Sequence, residues 1–160
     1  MQECELLKLY EQYSGLVYRL AVNYLRNFHD AEDAVQAVFI KLIDNKSKPE
    51  IGKERAFLIS ITINYCKDVL RSAWKRKIVP LEEINNEIAF ENEIDYDLFN
   101  AIMKLPDKLR IVIHLHYYEG YNLSEIASLL KIKSSAVSMR LHRARNILKE
   151  KLTEENDSGK

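Results

Sequence analysis

Apolar residues recur at helical spacing along most of the chain, and no stretch carries a convincing two-residue strand period. Leu6, Leu7, Tyr10, Tyr13, Leu16 or Val17, Leu20 and Tyr24 predict one helix over 2–26, which Asn27 and Phe28 break. Asp30 is placed to cap a second helix, with Glu32 and Asp33 near the positive end of its dipole. Ala31, Ala34, Val35, Val38 and Leu42 form its inward stripe, leaving Asp33, Gln36, Phe39 and Ile40 toward the outside. Pro49 and Gly52 punctuate a loop over 45–52. A third helix follows over 53–77, with Phe57, Leu58, Ile61, Tyr65 and Val69 inward. Ser60, Asn64, Lys67, Asp68 and Arg71 recur on another side of it. Val79 and Pro80 end it. A short helix starts at Asp97 and stops at Pro106; Asp107 is expected to cap the next, which runs through Tyr118.

The pattern then tightens. Leu123, Ile126, Ala127 and Leu130 line one side of a short helix. Asn122 followed three residues later by Glu125 is the signature of a capping box, and Gly120 can close the preceding helix in a left-handed cap. Lys131, Ile132 and Lys133 suffice only for a tight turn, after which Ser134 or Ser135 can cap another helix. At about 100° per residue, Val137, Leu141, Ala144, Leu148 and Leu152 fall inward on that helix. Ser135, Ser138, Met139, His142, Arg143 and Asn146 fall outward. A capped short helix, a three-residue turn and a basic second helix are the grammar of a helix-turn-helix. Hydroxyls, an imidazole, a guanidinium and an amide can meet base edges in a major groove. Arg140, Arg145, Lys149 and Lys151 flank them and can meet phosphates.

Of the 160 residues, 47% are hydrophobic, enough for a packed core. No apolar run approaches the ~20 residues of a membrane span, and the acidic, periodic N-terminus does not read as a signal peptide. Both observations predict a cytoplasmic chain without membrane insertion. Cys4 and Cys66 stand at neither metal-ligand nor redox-motif spacing and are expected to be reduced and partly buried. Net charge is zero, but its distribution is uneven. Residues 1–77 carry 13 basic and 10 acidic residues, residues 81–107 one basic and eight acidic, and residues 108–152 nine basic and three acidic. Two basic blocks separated by an acidic one can bind a polyanion at two places. At the end of the third helix, Arg71, Lys75, Arg76 and Lys77 surround Trp74. That grouping is either ordinary C-terminal dipole chemistry or an aromatic platform for an exposed base beside a phosphate.

Asp30 through Phe39 (DAEDAVQAVF), the helix carrying Phe57, Leu58, Ile61, Asn64, Asp68 and Arg71, and the stretch from Leu105-Pro106 and Arg110 to Arg145 together resemble bacterial RNA polymerase sigma factors of the extracytoplasmic-function (ECF) group, sigma-70 family. The resemblance covers nearly all of 5–152. It implies an all-α fold of two small helical domains joined by an acidic linker, the second a helix-turn-helix in a winged-helix-like four-helix module. Its domains would be 1–77 (region 2), a linker over 78–96, 97–153 (region 4) and a disordered tail over 154–160. It further implies that Glu32, Asp33, Gln36 and Phe39 touch polymerase at its β′ clamp helices. Asn64, Lys67, Arg71, Trp74, Lys75 and Arg76 would handle the minus-ten element, with the 45–52 loop holding an unstacked base. Ser135, Ser138, Met139, Arg140, His142, Arg143 and Arg145 would serve the minus-thirty-five element. Expected partners are core RNA polymerase (β′ clamp helices and β flap), promoter DNA as duplex and single strand, and an anti-sigma factor.

Phe57 departs from the family's usual Trp, keeping an aromatic without the indole donor. Ser138 and Met139 are weak readers, which shifts discrimination toward His142, Arg143 and DNA shape. The linker's charge fits a cationic channel that otherwise holds nucleic acid. The rival reading is a stand-alone helix-turn-helix regulator binding a symmetric site as a dimer. Catalysis has little to stand on: there is no nucleotide-binding loop, no cofactor motif, and His114 and His116, two apart on a helix, diverge and make no metal pair.

Overall fold

The computed structural model describes residues 3–44, 48–75 and 93–158; for 73–75, 93–96 and 154–158 it describes the backbone alone. Among the described residues, seven α-helices follow one another: α1 (Glu3–Leu25), α2 (Phe28–Asp44), α3 (Glu54–Lys75), α4 (Glu93–Met103), α5 (Asp107–Ile113), α6 (Leu123–Leu130) and α7 (Ser134–Ser158). A π-helical turn, His114–Tyr118, prolongs α5. There is no strand among the described residues. The chain divides into two compact units, Met1–Ile84 and Asn85–Lys160. Of the expected linker, 78–96, residues 78–92 lie outside the described residues.

In the first unit, α1 packs on both α2 and α3. Arg26, at φ +53°, closes α1 in a left-handed residue whose N–H still bonds to the Val22 carbonyl at 2.9 Å. The expected cap at Asp30 is corrected here. Asn27 holds that position, its Oδ1 accepting the Asp30 N–H at 2.9 Å, and Asp30 sits inside the first turn. Val17, Val35, Val38, Phe39, Leu42 and Leu58 form the core cluster, bordered by Leu6, Leu9, Tyr13, Phe57, Ile61 and Tyr65. The inward line of α1 therefore runs through Leu6, Leu9 and Tyr13, and Leu7 and Tyr10 are exposed. On α3 the fully buried positions are Leu58, Ile59, Thr62, Ile63 and Cys66, one step around from the expected stripe. The expected residues Phe57, Ile61, Tyr65 and Val69 lie at its half-buried margin, because α3 meets two neighbours and needs a wider apolar face than one stripe provides.

In the second unit, α4, α5 and α6 all pack on α7 or its immediate neighbours. Leu105, Leu109, Val112, Leu115, Ile126, Val137, Leu141 and Ala144 are buried there. Asp107 is not the cap of α5; Pro106 holds that position, and the Asp107 carboxylate instead accepts from Arg110 at 2.6 Å. Arg110 is fully buried and also donates to the Leu105 carbonyl at 2.8 Å. A guanidinium thus stitches the α4–α5 turn and fills the space beneath it. Over the expected tail, the described backbone of α7 continues to Ser158. No proline or glycine interrupts 153–158, Glu154 and Glu155 are good helix formers, and the Thr153 hydroxyl bonds back to the Lys149 carbonyl at 2.7 Å.

Candidate nucleic-acid interface

The outer face of α2 carries Glu32, Asp33 and Gln36, all exposed as expected. Phe39 is the exception. It is 6% exposed and meets the Tyr10 ring edge-on at 5.0 Å, so it supports this face from below and offers no surface of its own. The residues that do extend the face are Ile40 and Ile43, at 53% and 62% exposure. Asp33 contributes to the field that, after burial, raises the Tyr65 phenol above its ordinary range, with Cys66 and Asp30 adding less. Lys41 lies 5.5 Å from the centre of the same ring.

Asn64, Lys67, Asp68 and Arg71 are all exposed and share one side of α3, because the opposite side is committed to the core. Arg71 faces Asp68 at 3.6 Å, a solvent-exposed pair that leaves the guanidinium available to a phosphate. Trp74 and Lys75 occupy the last turn of α3, where only the backbone is described, and Arg76 lies outside the described residues. Of the 45–52 loop, 48–52 is described. Pro49 is half-buried, and Glu50 through Lys53 form a tight turn closed by the Lys53 N–H on the Glu50 carbonyl at 2.9 Å. Glu50 also pairs with Lys53 at 2.8 Å; hydrogen bond and charge together lower the Glu50 carboxyl and raise the Lys53 amine.

The helix-turn-helix is built from local devices. The capping box is complete: the Asn122 side chain accepts the Glu125 N–H at 2.8 Å, and the Glu125 carboxylate accepts the Asn122 N–H at 3.1 Å. Gly120 takes φ +76° before it, and Lys131 takes φ +58° to end α6. The Lys133 carbonyl receives the Val137 N–H at 3.2 Å, so Lys133 holds the N-cap position, one residue before the expected serine caps, and Ser134 stands inside the first turn of α7. Val137, Leu141 and Ala144 are buried to 1% exposure or less. Ser135, Ser138, Met139, His142, Arg143 and Asn146 are turned away from that core, with Arg140 half-buried at the edge. The Asn146 amide nitrogen lies 3.3 Å from His142 Nε2.

Two features of the second unit have no counterpart in the sequence pattern. The π turn brings the Glu119 N–H to the His114 carbonyl at 3.1 Å and the His114 Nε2 to the buried Glu119 carboxylate at 3.0 Å. His116 points elsewhere, its Nδ1 reaching the Tyr121 carbonyl at 2.9 Å, so the two imidazoles do diverge. Arg145, expected as a phosphate contact, is engaged by Tyr117, bonding the phenol oxygen and lying 5.5 Å from the ring centre. That contact ties the turn before α6 to the exposed side of α7.

The chain matches the model of sigma-70 region 2 over residues 9–76 and that of sigma-70 region 4 over residues 97–148. It is 30% identical over 144 residues to the RNA polymerase sigma factor SigV of Bacillus subtilis, covering 87% of this chain and 86% of that protein. It is 32% identical to the ECF RNA polymerase sigma factor SigE of Mycolicibacterium smegmatis across 91% of its own length, and spans 60% of that longer relative. Its fold resembles that of the Bartonella quintana sigma factor RpoE, solved with the anti-sigma factor NepR, with a TM-score of 0.81, 22% identity and 93% and 97% of the two chains covered. Both sigma-70 regions match in their family order, each on one of the two helical units, and the chain belongs to the extracytoplasmic-function RNA polymerase sigma factors of the sigma-70 family.

Proposed function

We propose that this chain binds core RNA polymerase through its first unit, carries the enzyme to promoters and assists strand separation there. Glu32, Asp33 and Gln36, extended by Ile40 and Ile43, form the polymerase-facing side of α2. Asn64, Lys67 and Arg71, continued by Trp74, Lys75 and Arg76, follow the minus-ten strand. Ser138, Met139, His142 and Arg143 read the minus-thirty-five duplex, and Ser135, Arg140 and Arg145 border them. Arg145 acts on the backbone as a guanidinium braced by Tyr117. Separating strands needs a surface that binds single strands better than duplex. Extruding a base requires roughly a few kcal/mol, and stacking with cation contacts can return it. No nucleotide hydrolysis enters, and the chain acts as a binding subunit rather than a catalyst.

The observation that carries this reading is the exposure of two separate polar faces, on α3 and on α7, each backed by a fully buried apolar side. A cytoplasmic location follows from that work, and among the described residues no helix is long and apolar enough to cross a membrane. The solved relative RpoE is bound by an anti-sigma factor, and a protein of that class is proposed as a partner here. The test is transcription with purified core polymerase on a randomised promoter library. Enrichment of a bipartite motif with two elements at fixed spacing is expected. Polymerase-independent binding of this chain to a symmetric site would contradict the reading.

A further inference from the structure

Tyr117 is 55% exposed on the π turn, yet its ring is held from two sides. His116 meets it edge-on, with ring centres 4.8 Å apart, and Arg145 of α7 lies 5.5 Å from its centre. His116 is itself tied down, its Nδ1 donating to the Tyr121 carbonyl at 2.9 Å, since a carbonyl only accepts. Arg145 closes the arrangement by donating its Nε–H to the Tyr117 phenol oxygen.

That bond leaves particular donors over. Only the Nε–H of the guanidinium is used in it, and the N–H groups of the terminal nitrogens remain. The phenol oxygen accepts from Arg145, so its own O–H points elsewhere. Carboxylates do not compete for these groups. The residues three and four places from Arg145 on α7 are Leu141, His142, Leu148 and Lys149, none of them acidic. On the π turn, the buried Glu119 carboxylate is turned to His114 at 3.0 Å. Arg145 also stands almost in line with Ser138 on α7, about 10 Å further along the axis. A major groove is about 12 Å wide. A helix that meets base edges near Ser138 therefore brings Arg145 out at the wall of the groove, where phosphates run. Tyrosine and arginine both donate to phosphate oxygens, and such charge-assisted bonds are the strong ones.

We propose that Tyr117 and Arg145 form a clamp on one backbone phosphate beside the minus-thirty-five element, the phenol O–H and a terminal guanidinium nitrogen donating to the same phosphate group. This rests on the reading of α7 as the minus-thirty-five reader. Tyr117 is then a DNA contact contributed from outside the two helices of the helix-turn-helix, and its bond to Arg145 keeps the guanidinium at the groove wall. The clamp adds affinity and register but no base choice.

The test uses holoenzyme reconstituted from core polymerase and the full chain, bound at low temperature to a library-selected promoter duplex. Single methylphosphonates neutralise one phosphate at a time around the minus-thirty-five element. With the parent, the clamped position should weaken binding by about fivefold when neutralised. Tyr117→Phe, which keeps the ring and loses the hydroxyl, should weaken binding to unmodified DNA by about threefold, and Arg145→Ala by about tenfold. In both variants, neutralising that same phosphate should then weaken binding by less than about twofold. Base choice, read as the ratio of binding to the selected element and to one with a single base changed, should stay within about twofold of the parent in Tyr117→Phe; a merely displaced α7 would lose it. A phosphate profile of either variant equal to the parent's, or a loss of base choice as large as the loss of affinity in Tyr117→Phe, would overturn the clamp. If the parent selects promoters but shows no sensitive phosphate, the clamp alone fails; if it selects none, the sigma-factor reading fails with it.

Discussion

The two faces proposed to meet DNA are supported differently. On α3, Asn64, Lys67 and Arg71 stand on a helix held from behind by Leu58, Ile59, Ile63 and Cys66, in a core shared with α1 and α2. On α7, the side chains proposed to read bases have an apolar backing too, and the elements around them are pinned by polar fasteners, two of them buried. These are the Asn122–Glu125 box, Arg110 across the α4–α5 turn, His114 on Glu119, and Arg145 on Tyr117. Apolar packing fixes where a helix lies but tolerates small slides and rotations. Hydrogen bonds at defined distances restrict those motions. A module that follows a separated strand can tolerate looseness; one that must match base edges in a groove has less freedom.

Substitutions can break that contrast. The largest effect is expected from Leu58→Ala, which empties the shared core of the first unit and should destabilise it by about 4 kcal/mol. Hydrogen exchange should show faster opening of α1–α3 with α5–α7 unchanged. Arg110→Ala should do the reverse, loosening α5–α7 by about 3 kcal/mol, near the low end for a broken buried pair because Asp107 is half in solvent. Asn122→Ala should cost about 1 kcal/mol and fray α6 from its start. Equal protection changes in both units for any of these would dissolve the contrast.

Much of this is legible in the sequence because it depends on neighbours a few residues apart. The capping box, Gly120, the inward line of Val137, Leu141 and Ala144, and the exposed face of α7 all follow from spacing. Phe39 escapes that logic because it sits on the flank of the α2 stripe, where periodicity leaves the width undecided; the covering ring, Tyr10, comes from another helix. Asn27 displaces Asp30 as the cap because the chain leaves α1 through a left-handed Arg26 and re-enters a helix immediately. The π turn leaves no trace because a partner five residues away looks misaligned on a helix of regular pitch.

The smallest expected effect concerns the two cysteines. Cys4 is exposed, whereas burial pushes the Cys66 thiol from 9.0 up to about 12. At pH 8, iodoacetamide should modify Cys4 readily and Cys66 only as the first unit opens. Since the folded value lies above the unfolded one, the Cys66 contribution to stability is present below about pH 9 and is lost as pH rises toward 12. Rapid modification of both thiols would show that the core behind the α3 face is not closed.

The division of labour between the units is tested most directly by a paired measurement on full-length variants. Arg143→Ala should reduce discrimination at the minus-thirty-five element by about 2 kcal/mol while leaving affinity for core polymerase intact. Gln36→Ala should weaken polymerase binding and leave DNA binding by the isolated chain unchanged. If both variants lost DNA binding alike, or if neither altered polymerase affinity or promoter choice, the assignment of one face to the enzyme and another to the groove would be wrong.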